Sequence, residues 1–157
     1  VVISQICTSE LLSPKVVVAG PNWADPPCTV ISGRIPPVLL HVIYQSSLFV
    51  LNIGRDLNIA NSRFAIPASS PGPRTFEAAM MGAVQIYMGQ SEAIKDYYTA
   101  SDGVYTPSNI GELEEIYLHA IQHPNKHATA RASAIAKTAS HHLYSHRAQA
   151  ILDIIKQ

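Results

Sequence analysis

This chain has little cysteine, little charge and no long apolar run. Cys7 and Cys28 are the only cysteines. They show neither CxxC spacing nor a neighbouring histidine cluster, which argues against a zinc site and against a disulfide framework. Charged residues make up 14% of the chain and balance at 11 Lys+Arg against 11 Asp+Glu, with no basic block, so nucleic acid is not an expected partner. No apolar stretch approaches the ~20 residues that cross a bilayer, and no membrane span is expected. No acidic pair of the DxD kind occurs, and no nucleophile elbow surrounds Ser70. The start at Val1 carries no signal-like segment and reads as a cut point within something larger; the expected compartment is cytoplasmic.

What is present is apolar and folded. Hydrophobic residues reach 47% over 157 residues, enough for one domain with a sizeable core. Lys15–Ala19, Cys28–Ser32 and Leu48–Ile53 are short apolar runs, each closed by a glycine; all three read as strands, the first buried on both faces and the third buried. Pro36 and Pro37 open a helix in which Leu39, Leu40, Ile43 and Tyr44 recur at helical spacing. Residues 54–73 are loop-like. A helix follows from about Arg74 to Met81, broken at Gly82, then a strand at Val84–Tyr87. Ser91 is a candidate cap for a short helix through Tyr98. Val104–Thr106 is a strand, Ser108 caps a helix through about Gln122, and Pro124 ends it. The segment 125–157 is helical, with a break near His141–Tyr144.

Strands alternating with helices predict an α/β domain, Rossmann-like and three-layered, with a parallel sheet between helices. Ligands bind such sheets beyond the carboxyl ends of the strands. Three loops fall there: Gly33–Ile35, Gly54–Asp56 and Ser69–Arg74. In the third, Arg74 starts a helix and Glu77 follows three residues later. A helix N-terminus with a planar guanidinium suits phosphate, and a carboxylate on nearly the same face suits the vicinal hydroxyls of a ribose. The competing reading of that spacing is a local Arg–Glu pair. Arg55, after a buried strand, is a second phosphate candidate or a salt-bridge partner. His142 and His146 have metal-compatible spacing but no adjacent carboxylate, and no metal site is expected.

"LNIGRD" (51–56), "PGPRTFEAAMMGAVQI" (71–86) and "HHLYSHRAQAIL" (141–152) resemble the C-terminal domain of GT-B glycosyltransferases, most nearly the CgeB-like (spore-maturation) group. "VVVAGPNW" (16–23) and "SGRIPPVLLHVIYQSSLFVLNI" (32–53) extend the resemblance over about residues 15–152. It implies a donor-binding domain of a metal-independent transferase that uses no cofactor beyond its nucleotide-diphosphate sugar. It also implies a separate N-terminal acceptor domain as partner. By position Glu77 takes the ribose, Arg55 and Arg74 the diphosphate as catalytic groups, and Gly33, Arg34 and Ile35 lie against the base. Ser70, Pro71, Gly72 and Pro73 line the sugar–phosphate region, and Thr75 is a further donor-binding residue. The chain departs from the family pattern at Ser69, where retaining members carry a glutamate, at Leu143, and at Met88-Gly89, where an acidic residue is expected. A non-catalytic nucleotide-binding or regulatory module is the alternative. A response-regulator-like domain needs clustered aspartates, which Asp25 and Asp56 do not match.

Overall fold

The computed structural model describes residues 2–20, 28–31, 33, 35–53, 70–89 and 93–156. Among them the strands are β1 (Val17–Ala19), β2 (Thr29–Ile31), β3 (Val50–Ile53), β4 (Gln85–Met88) and β5 (Val104–Tyr105). The helices are α1 (Val2–Ile6), α2 (Pro37–Ser46), α3 (Pro73–Met80), α4 (Ile94–Tyr97), α5 (Ile110–Gln122), α6 (Pro124–His141) and α7 (Tyr144–Ile155). Every pairing is parallel: β1 with β2, and β3–β4–β5 in sequence order. The expected parallel α/β architecture is what forms, with the described strands divided between a two-stranded and a three-stranded sheet.

The pleat of β4 shows why helices cover both faces of the larger sheet. Ile86 points into a core with Ile6, Leu12 and Leu113, from the α1 and α5 side. Its neighbour Tyr87 points the other way, into a core with Phe76, Ala79, Tyr98 and Ala134, from the α3 and α6 side. Successive strand residues face opposite layers, so a central strand is buried on both sides, and in β4 every residue but Gln85 is apolar.

Several element ends differ from the sequence reading for local reasons. The cap of α5 is Asn109, not Ser108: its side chain accepts from the Glu112 amide at 2.9 Å, and Glu112 returns a bond to the Ser108 amide at 2.7 Å. Pro124 is the first residue of α6, where a missing N–H costs nothing. Residues 2–6, which carry no clear sequence signal, form a helix. The expected cap at Ser91 lies outside the described residues. Gly82 ends α3 with a φ of 79°, while the Ala83 amide bonds back to the Ala78 carbonyl at 2.9 Å. That left-handed turn favours glycine and delivers the chain directly into β4.

Candidate functional site

The first turn of α3 is fixed from beneath. Asn52, in β3, donates from its side-chain amide to Thr75 Oγ1 and to Gln85 Oε1, both at 2.9 Å. Gln85, in β4, donates in turn to the Thr75 carbonyl at 2.9 Å. All three residues are buried. Fully satisfied buried polar networks are rigid, because any displacement leaves a group unpaired in a low-dielectric interior. This network sets the start of α3 beside the carboxyl half of β3.

Above that anchor the helix presents polar groups to solvent. Gly72 is its N-cap and supplies no side-chain cap, and Pro73 is its first residue. Arg74 and Glu77 are exposed, whereas Thr75 and Phe76 are buried. Among the described residues the ion pair formed is Lys137–Asp102 at 2.6 Å; Arg74 and Glu77 do not pair with each other. The local Arg–Glu pair that the spacing allowed is therefore absent, and both side chains are open to a ligand.

The other expected site residues divide into groups. Ser70, Gly72 and Pro73 are exposed at the approach to α3, and Pro71 is buried. Thr75 is a correction: its hydroxyl accepts from Asn52 and it is 1% exposed, so it is a strut under the site instead of a surface that lines it. Gly33, with a φ of 93°, and Ile35 follow β2 in the smaller sheet, and no hydrogen bond among the described residues joins them to α3. Arg34 and Arg55 lie outside the described residues.

Two cavities flank this region. One, of about 240 Å³, lies between α3 and the α6–α7 turn, lined by Phe76, Glu77, Met80, His142, Tyr144 and Arg147 among others. The guanidinium of Arg147 stands 4.5 Å from the Phe76 ring centre. Burial lowers the His142 pKa, opposed by a backbone hydrogen bond at Tyr97 and reinforced by the charges of His141, Lys137 and Arg147. Its Nε2 is buried without a partner among the described residues. His146 does not join it: His146 Nδ1 accepts from the Leu143 amide at 3.1 Å and caps α7. The second cavity, of about 370 Å³, opens past the carboxyl end of β5, with Lys95, Tyr98, Tyr105, Thr106 and Glu112 in its wall. Among the described residues no three His, Cys, Asp or Glu side chains converge as metal ligands.

The start of α3 thus lies near the carboxyl end of β3, the side on which α/β sheets place ligands. Residues 3–153 match a family model described as glycosyl transferase-like.

The chain belongs to the glycosyl transferase-like family.

No curated protein and no solved structure matches it. Membership assigns glycosyl transfer in general, and the parallel α/β architecture agrees with a Rossmann-like transferase domain. No helix among the described residues is long and apolar enough to cross a membrane.

Sequence reasoning missed Asn52 and Gln85, the residues that hold α3 in place. The signal was there: each is an uncharged amide inside an apolar strand run, LFVLNI and AVQI. A buried amide in a strand needs a partner, and here the partners lie 23 and 33 residues from Asn52.

Proposed function

We propose that this domain binds the nucleotide-diphosphate sugar donor of a GT-B glycosyltransferase, as its C-terminal half and in the manner of the CgeB-like group. The observation that carries the reading is the exposed, mutually unpaired Arg74 and Glu77 on the uncapped start of a helix locked to β3 and β4. Glu77 accepts hydrogen bonds from the ribose hydroxyls. Arg74, joined by Arg55, faces the diphosphate, and the α3 amides and dipole add to the same field. Ser70 to Pro73 follow the sugar–phosphate backbone, and Gly33 to Ile35 lie against the base.

The chemistry is leaving-group stabilisation. As the glycosyl bond breaks, negative charge builds on the departing diphosphate. Fixed cationic donors aimed there stabilise the transition state more than the ground state. Arginine supplies this charge without a resident metal, and in an inverting transfer a base for the acceptor hydroxyl comes from the acceptor-binding domain. We place the protein in the cytoplasm, where nucleotide sugars are consumed from solution. Ser69, standing where a retaining glutamate is found, favours a second reading in which the module binds nucleotide without transfer.

Calorimetric titration with uridine, guanosine, adenosine and thymidine diphosphates tests the donor reading. Selective binding of one, weakened by both Glu77→Gln and Arg74→Ala, is the expected result. Binding that ignores both substitutions removes α3 from the site. Sugar transfer by the full-length protein separates the catalytic reading from the non-catalytic one.

A further inference from the structure

Phe76 lies between Arg74 and Glu77 in the chain, yet its side chain faces inward and is 7% exposed. Its ring meets Tyr97 at 5.4 Å and 80°, Tyr98 at 5.8 Å and His142 at 5.4 Å. The Arg147 guanidinium stands at 4.5 Å. Tyr97 and Tyr98 come from α4 and its C-cap, whereas His142 and Arg147 come from the α6–α7 turn and the first turn of α7.

We propose that Arg147 and His142 are positioning residues of the donor site, which clamp Phe76 and through it set where Arg74 and Glu77 stand. The inference rests on the donor reading of α3. Three observations carry it. First, α3 spans 8 residues, so a tilt at Phe76 moves both of its polar neighbours. Second, Arg147 forms no ion pair among the described residues, and α7 buries no residue. Its guanidinium stands over a ring, in the wall of the cavity that Glu77 also lines, and is not turned toward an acid. Third, the His142 ring is held from behind by the Tyr97 backbone and touches Phe76, Tyr97 and Tyr98 together, while its Nε2 stays unpartnered.

The groups around His142 give the clamp a direction with pH. Lys137 and His141 from α6 and Arg147 from α7 oppose a charge on it. Tyr97 and Tyr98 from α4 surround it with rings, and Glu77 from α3 is the carboxylate in the adjoining cavity. A proton on His142 puts a cation beside Arg147 on the same ring and loosens the clamp. Donor affinity therefore weakens as pH falls below the ordinary histidine range, ~6.5.

The test is titration of the intact chain with whichever of the four nucleoside diphosphates it binds best, at about pH 7.5 and about pH 5.5, with the melting temperature of each variant recorded. Arg147→Ala is expected to weaken binding about fivefold, the worth of one partly desolvated cation–π contact. Arg147→Lys keeps the charge without the planar stack and recovers less than half of that loss. His142→Asn keeps a donor for the Tyr97 carbonyl and cannot titrate. It should bind more weakly than the unaltered chain near pH 7.5, for want of the ring against Phe76, and lose less affinity between the two pH values, a difference that a purely structural histidine would not control. Unchanged affinity in a folded Arg147→Ala, or in Arg147→Lys if the alanine variant unfolds, overturns the proposal. So does an acid-side weakening in His142→Asn as large as that of the unaltered chain, since the nucleotide's terminal phosphate, with a pKa of about 6, supplies a part common to both. Binding sensitive to Glu77→Gln but not to these variants sinks the clamp alone; no binding by the unaltered chain, or none sensitive to Glu77→Gln, sinks the donor reading with it.

Discussion

Glu77 is exposed and makes no ion pair with Arg74, so its carboxylate has nothing to lose by substitution except a ligand. Glu77→Gln should leave the melting temperature unchanged and weaken nucleotide binding by about tenfold or more, the range of a hydrogen bond to a charged group; calorimetry measures both terms. Asn52 is the opposite case. Asn52→Leu removes the donor for Thr75 Oγ1 and Gln85 Oε1 at once and leaves buried groups unpaired. A loss of about 2–3 kcal/mol is expected, read from the urea midpoint at constant slope. His127 brings a pH term. Burial lowers its pKa, the Leu48 carbonyl at 2.7 Å pulls upward, and Arg131 pushes down, for a net depression. A histidine that is harder to protonate when folded contributes stability above its unfolded pKa of ~6.5, and that contribution drains away as pH falls below it. His142 shifts the same way. The melting temperature should therefore fall on acidification below neutral, and fall less in a His127→Gln, His142→Asn double variant.

Single side chains also join whole elements. Arg131, on α6, donates to the carbonyls of Gly82 at 2.6 Å, Ser47 at 3.0 Å and Tyr44 at 3.3 Å. One guanidinium thus gathers the end of α2, the turn after α3 and the middle of α6. Arg131→Met keeps the apolar stem and orphans the carbonyls, for an expected loss of about 2–4 kcal/mol in denaturant unfolding. At the turn into β5, Gly103 has a φ of 76°, and an added Cβ would lie 2.9 Å from the Ala130 carbonyl oxygen. Gly103→Ala should lower stability by about 2 kcal/mol, since strain and a backbone clash act together. Such elements were legible in the sequence where the signal is local. The β-branched runs became strands, the break at Gly82 ended a helix, and the interruption near His142 separated α6 from α7. Asn109 against Ser108 was not legible, because adjacent capping residues differ only in which one adopts the extended φ of a cap. Arg131 was not legible either, because its partners are 49 to 87 residues away.

For the molecule as a whole, alternation of short apolar strands and helices was enough to indicate parallel strands, and β4 is covered on both faces as that pattern requires; β1 and β2 depart from it, pairing in a separate two-stranded sheet that leaves Val17, Val30 and Ile31 exposed among the described residues. The placement of the candidate site's residues was legible in part. Arg74 and Glu77 stand exposed on the uncapped start of α3, since a charged pair at a helix start in an apolar protein has few places to go. Thr75 went inward because it forms part of a buried network that spans two strands. The cavity past β5 was not anticipated, as its wall is drawn from α4, β5 and α5 at once. That cavity is the rival to α3 for a ligand, and amide chemical shifts decide between them. On addition of the preferred nucleoside diphosphate, the account predicts shifts at the amides of Ser70, Gly72, Arg74 and Glu77, with Thr106 and Glu112 unmoved. Shifts confined to Lys95, Thr106 and Glu112 would contradict it.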